Sequence, residues 1–281
     1  MNNFKPFSEA ERLANNQRVL ATLAPILAAH HQRTMPITPP QPAAQDSTDM
    51  LILSDLARRP FLALTQRAQS LQLIPGQPLH FKDLKRHLTA LEQMKLCTHL
   101  VVRMNNRGGN SEFSILTAAG HAAINSPVKP RRGGTAYPHF WMQEFVRFLL
   151  SQRNVLAEIE PKRSHSQVDL GFTDPATSRN IGIEICLSTA AYELGKIART
   201  LQDWERILIV APTTDVLRDL EQHFLNSLTT LNSDVPRRVT LILPYHIVNT
   251  PRLADLYDAV DVVYQRHVAK QQQLKPARST P

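Results

Sequence analysis

Residues 206–212, RILIVAP, set four large aliphatic side chains in a row with no polar residue between them. An apolar run of strand length reads as a β-strand covered on both faces, and such a strand needs helices above and below it. The surrounding sequence supplies them. HFWMQEFVRFLLSQRN has the spacing of an amphipathic helix, VLAEIEPK, QVDLGFTD and NIGIEICLS read as three successive strands, and TAAYELGKIARTLQ reads as a helix. After RILIVAP come the helical pattern TTDVLRDLEQHFLNSL, a strand in RRVTLILPYHIV and a last helix around PRLADLYDAVDVVYQRHVAK. The order predicts an α/β domain over 137–270, built on a mixed sheet in the sequence αβββαβ with helices on both faces.

Proline and glycine divide the rest. SPVKPRRGGTAYP breaks the pattern before this domain, giving a linker at 127–136, and TMPITPPQPAAQDSTD is too rich in proline to be helical. Residues 1–46 therefore read as an N-terminal helix, suited to docking or homo-oligomerisation, followed by a linker; 271–281 read as a disordered tail. Between the linkers, over 47–126, STDMLILSDLARRP, FLALTQRAQSLQL and LHFKDLKRHLTALEQMKL read as three short helices. THLVVRM and SEFSILT then alternate as strands around the turn residues NNRGGN, and a short helix follows. Three helices followed by a hairpin is the order of a winged helix, a module that can lay its third helix in a major groove and its hairpin along the backbone. In the third helix Leu84, Leu88 and Leu91 form one apolar stripe, which leaves Lys82, Lys85 and Arg86 on other faces, and Arg107 tips the hairpin. These four are the candidate DNA contacts.

Charge points the same way. The net charge is +8, and residues 51–135 hold all of the surplus, with twelve basic against four acidic side chains; 1–50 carry four of each and 136–281 sixteen of each. Clustered lysine and arginine gain by displacing counterions from a phosphate backbone, so double-stranded DNA is the expected partner. Cys97 and Cys186 are the only cysteines and lie far apart, which excludes a disulfide scaffold and a zinc-type cysteine spacing. No apolar run approaches the roughly 20 residues that span a bilayer, and the first residues lack a basic-then-apolar leader. A cytoplasmic protein without membrane insertion is expected.

The chemistry concentrates in residues 166–189. With a side-chain period of two, Ile181, Ile183 and Ile185 share one face of their strand while Gly182, Glu184 and Cys186 share the other, and Asp169 alternates in the same way with Val168 and Leu170. If the two strands pair, Asp169 and Glu184 converge at one end of the sheet. Neighbouring carboxylates repel unless a cation lies between them, and a hard divalent ion such as Mg²⁺, with Mn²⁺ as substitute, would satisfy both and could activate water against a phosphodiester.

This arrangement resembles the restriction-endonuclease-like nucleases, whose core carries an acidic residue on the first helix, Asp on the second strand and Glu-x-Lys on the third. The resemblance implies that Asp169 and Glu184 match the metal-binding pair and that Glu144 matches the helix acid. Cys186 stands where the lysine belongs, and a thiol that keeps its proton at neutral pH does not replace an ammonium. RGGTAYPHFWMQEFV, VDLGF, IGIEICLS and ELGKIARTLQDWERILIVA are further similar to the region that follows the motor in some DNA-pumping P-loop ATPases of mobile elements, over roughly residues 47–225. In such sequences a lysine on the next helix matches Lys196, a candidate for the missing charge; Lys162 is a rival.

None of the nine glycines begins a phosphate-binding G-x-x-x-x-G-K-[ST] loop, so a P-loop ATPase partner would be a separate subunit. The expected function is a DNA-binding accessory protein of a plasmid, phage or transfer element, with a nuclease-like domain that lacks the usual lysine; the alternatives are an active Mg²⁺-dependent endonuclease, with Asp169, Glu184 and Glu144 on the metal and Lys196 or Lys162 in place of the missing lysine, and a non-catalytic adaptor in a secretion or partition complex.

Overall fold

The computed structural model of the chain describes residues 47–74, 77–105, 109–127, 137–188, 190–227 and 235–258. The N-terminal helix and linker expected before residue 47, Arg107, most of the linker at 127–136, the end of the last helix and the tail lie outside these residues.

The fold is mixed α/β. Its first part comprises helices α1 (Ser47–Arg58) and α2 (Leu64–Ser70), a short antiparallel pair β1 (Gln72–Ile74) and β2 (Gln77–Pro78), helix α3 (Phe81–Gln93), the hairpin β3 (Cys97–Val102) and β4 (Ser111–Leu116), and helix α4 (Ala118–Ala123). Helix α1 stops short of Pro60, and α4 begins where the Thr117 hydroxyl accepts the Gly120 amide at 3.2 Å. The stripe Leu84, Leu88 and Leu91 is buried against Ile52, Leu53, Leu56 and Leu64. Arg67 is wholly buried beside them, paired with Asp55 and donating to the carbonyls of Arg59 and Leu62. The β1–β2 pair has no counterpart in the expected order, because α2 ends three residues before the apolar pattern does.

The second part follows as α5 (Tyr137–Ser151), β5 (Glu158–Ile159), β6 (Leu170–Thr173), β7 (Asn180–Ile185), α6 (Ala190–Thr200), β8 (Arg206–Val210), α7 (Thr214–Ser227), α8 (Val235–Arg238), β9 (Val239–Ile242), α9 (Pro244–Asn249) and α10 (Ala254–Asp258). Its five strands lie in the order β5-β6-β7-β8-β9, the first three antiparallel and the last three parallel. The strands are shorter than expected, QVDLGFTD giving only Leu170–Thr173, and most of all at the two edges of the sheet. Of VLAEIEPK only Glu158–Ile159 forms a strand, at the sheet edge, with Leu156 84% exposed just before it and Lys162 adding an isolated bridge to Gln167. RRVTLILPYHIV contributes only Val239–Ile242, because Pro244 cannot donate to a ladder but fits the first turn of a helix, and the chain turns into α9 there.

Ile181, Ile183 and Ile185 face α5, and Cys186 faces the opposite layer with Leu194, Ile197 and Trp204, so β7 alternates as its sequence indicates. The expected alternation of Asp169 with Val168 and Leu170 does not hold. Leu170 packs on the α5 side, whereas Val168 lies on the Trp204 side, within reach of any Cβ placed on Gly182. The chain bends at Asp169, and the segment before it stays paired with the residues after β5, through the Glu160 amide donating to the Asp169 carbonyl at 2.9 Å and a bridge between Lys162 and Gln167. The Trp204 indole lies across Gly171 and Gly182, and Pro161 Cγ also lies close to Gly171.

The two parts share a core. Phe113 from β4 lies 5.0 Å from Trp141 and 5.4 Å from Phe145 on α5, and Phe61 stacks on Phe148 at 5.0 Å. Trp141 Nε1 donates to the Pro60 carbonyl at 3.2 Å, and the Arg103 amide donates to the Pro212 carbonyl at 2.7 Å. One layer of α5 is thus covered by the sheet and another by the hairpin. No helix among the described residues is long and apolar enough to cross a membrane.

The indole contact yields a stability prediction. A Cβ at residue 171 would stand 2.2 Å from Trp204 Cη2 and 2.8 Å from Pro161 Cγ, whereas one at residue 182 meets nothing closer than 3.1 Å. Gly171→Ala is expected to destabilise the fold by roughly 1–3 kcal/mol through overpacking, and Gly182→Ala by clearly less. Urea unfolding midpoints for the two variants decide it; a Gly171→Ala protein as stable as Gly182→Ala would refute the placement of the ring.

Candidate functional site

The end of the sheet where β6 starts and β7 finishes gathers side chains from four elements. Leu170 pairs with Ile183, so continuing the register by one residue sets Asp169 beside Glu184. The Asp169 carboxylate is heavily bonded. Its Oδ2 accepts the Ile185 amide at 2.7 Å and lies 3.3 Å from His139 Nε2, while Oδ1 accepts Gln143 Nε2 at 2.9 Å. His139 and Gln143 both come from α5.

Glu184 is 2% exposed and turns to α6. Lys196 Nζ lies 3.5 Å from its Oε2 and 2.6 Å from Glu193 Oε2, and sits 4.9 Å from the centre of the Tyr192 ring. The Glu193 contact is an ion pair without hydrogen-bond alignment, since Glu193 Oε2 is a buried atom with no aligned donor. Glu184 Oε1, Gln143 Oε1 and His139 Nδ1 are likewise buried without a partner. Three of the unpartnered buried polar atoms among the described residues, on Glu184, Gln143 and His139, therefore belong to this one rim.

The electrostatics follow from burial and neighbours. Burial pushes the Glu184 carboxyl up, the Asp169 charge adds to it, and Lys196 opposes without cancelling them, leaving it near about 8. Burial also raises Glu193, only partly offset by Lys196. For Asp169 burial acts upward, but the bonds from His139, Ile185 and Gln143 outweigh it and hold the carboxyl below its usual range. Burial would lower His139 and Lys196, yet Asp169 and the two glutamates respectively outweigh it and both are raised. Three carboxylates thus face one lysine and one histidine, an arrangement with room for a further positive charge or a proton.

The candidates read from sequence divide accordingly. Asp169, Glu184 and Lys196 come together. Glu144, expected as the helix acid, pairs instead with Arg147, and the α5 residues that reach Asp169 are His139 and Gln143, the neighbour of Glu144. Lys162 is exposed at an isolated bridge with Gln167, so the lysine brought to Glu184 is Lys196. Cys186 is 1% exposed in an apolar cluster, out of any role as a charge. His165 is bound to Asp203, with Nδ1 at 3.0 Å. Lys82, Lys85 and Arg86 are exposed on α3; Lys85 pairs with Glu112 at 3.1 Å and Arg86 with Asp83 at 3.3 Å. His139, Gln143 and Glu193 were not legible as site residues. Only Glu193 left a trace, standing three residues before Lys196 on a helix, the spacing of an ion pair.

Among the described residues no group of three or more His, Cys, Asp and Glu side chains is disposed to hold a metal ion by itself. Mg²⁺ asks for less, since it keeps several waters and commonly takes one or two carboxylates plus substrate phosphate. Asp169, Glu184 and the free Gln143 Oε1 are hard oxygen donors of the right kind.

The chain matches no protein-family model, and no curated protein and no solved structure matches it either.

The buried Glu184 carboxyl has a consequence for stability. A carboxyl raised in the native state binds more protons there than in the unfolded chain, so stability falls as pH rises from about 4.5 through about 8. In chelator-treated protein at pH 8.5, Glu184→Gln is expected to raise the urea midpoint and to flatten the loss between pH 5 and 8 (roughly the interval between the two pKa values). An unchanged pH dependence in the variant would rule out Glu184 as its source.

Proposed function

We propose that the chain is a duplex-DNA-binding protein of a plasmid, phage or transfer element that carries a Mg²⁺-dependent phosphodiesterase site on its α/β part. On this reading residues 47–126 form a winged helix and 137–270 a restriction-endonuclease-like domain, and a separate ATPase subunit is its natural companion. The observation that carries the proposal is the rim itself: buried acceptors on Glu184 and Gln143 lie without donors beside an ionised Asp169 and a lysine.

Asp169 and Glu184 would hold the metal, with Gln143 Oε1 as a further oxygen. A bound Mg²⁺ would supply Lewis-acid polarisation of a phosphate oxygen and a more acidic water. The chain's own groups do the rest. His139, Gln143 and the Ile185 amide fix the Asp169 carboxylate in its ionised form. Lys196, kept charged by two glutamates, is placed to balance the negative charge of a scissile phosphate, the service that a buried Cys186 cannot give. Lys82, Lys85 and Arg86 give the shared body its grip on the backbone through counterion release.

A second reading keeps the DNA binding and drops the cleavage. The absence, among the described residues, of a complete ligand set favours it.

Incubation with supercoiled duplex DNA separates the two. Nicking is expected with Mg²⁺ or Mn²⁺, lost with chelator and lost in Asp169→Asn and Glu184→Gln, while both variants still shift duplex DNA. A duplex shift with no cutting under any of these conditions would leave the accessory reading. Replacing Lys82, Lys85 and Arg86 together by Ala is expected to flatten the slope of log affinity against log salt by roughly 3; an unchanged slope would put the DNA contact elsewhere.

A further inference from the structure

We infer that Glu193 is the positioning residue for Lys196, holding its ammonium at the Glu184 carboxylate so that a lysine on a helix serves where a strand lysine is missing. The inference rests on the phosphodiesterase reading and adds to it a residue outside the metal-binding set. A lysine in a strand takes its direction from the pleat. One on a helix ends a flexible four-carbon stem in a compact charge with three rotatable donors, and something must fix it.

Three contacts do so here. Glu193, one turn earlier on α6 and 7% exposed, approaches Nζ to 2.6 Å; Glu184 lies across from it at 3.5 Å; and the Tyr192 ring stands 4.9 Å away. Glu193 is thus the nearer of the two carboxylates. Helix α6 is itself seated over the strand position that the thiol occupies, since Leu194 and Ile197 pack in the same apolar cluster as Cys186. The ammonium therefore arrives from the same layer that a strand lysine would have occupied. Removing two ions from water offsets much of their attraction, so the pair's value lies in where it puts the charge rather than in stability.

The test is a mutant cycle on the full chain. Nicking of supercoiled DNA in Mg²⁺ is measured for the unmodified protein, Glu193→Gln, Glu193→Asp, Lys196→Ala and the double variant Glu193→Gln with Lys196→Ala. Glu193→Gln should lower kcat roughly 10- to 100-fold, the usual effect of losing a supporting partner, with KM for DNA unchanged. Glu193→Asp should fall between, and the double variant should be no slower than Lys196→Ala alone. Independently of turnover, competitive amine labelling read by mass spectrometry should show Lys196 more reactive in Glu193→Gln, with Lys162 unchanged as control. Additive effects in the cycle, or unaltered Lys196 labelling, overturn the inference while leaving the phosphodiesterase reading intact. An unmodified protein that cuts nothing overturns both.

Discussion

Helix α5 is buried from two directions, and both halves of the molecule depend on that. Trp141 and Phe145 meet Phe113 and Phe61 from the first part, while Met142, Val146 and Leu150 lie in the same core as the isoleucines of β7. A helix clamped in this way has little freedom to rotate or slide, since a shift of even one side chain would open voids on both sides. Its first turns carry His139 and Gln143, whose bonds to Asp169 need that fixity. The hydrophobic contact that joins the basic part to the sheet is therefore the same contact that aims two polar side chains at the rim.

The rim is held by a balance of unequal terms. Desolvation raises every carboxyl there, and only Asp169 gains enough hydrogen bonds to overcome it. Glu184 and Glu193 share one ammonium between them. Such a cluster is costly as a scaffold, because leaving buried acceptors unpaired forfeits their hydration. Its cost is offset when a cation or a proton enters.

Much of the α/β part was legible in the sequence. RILIVAP and NIGIEICLS carry their own periodicity, and the isoleucine face lies where alternation puts it. Alternation breaks at Asp169, where the chain bends and Val168 turns to the layer of a tryptophan that stands thirty-five positions after Asp169. A strand's period says nothing of a ring that reaches it from another layer. The resemblance puts the helix acid at Glu144, whereas the face of α5 turned to the rim carries His139 and the uncharged amide of Gln143; which face that is depends on packing against the hairpin, a long-range fact. The third helix gave up its stripe readily, since Leu84, Leu88 and Leu91 need only local spacing. The proline that turns the last strand into α9 was visible too, and its preference for a first helical turn was the stronger signal.

The burial of Cys186 closes one route for good. Its thiol stands among Ala190, Leu194 and Ile197, sealed from solvent by the helix above. A charged side chain at that position would start among apolar groups, where burying it unpaired is costly. A side chain longer than a thiol at residue 186 would have to compete for the space that Leu194 and Ile197 fill.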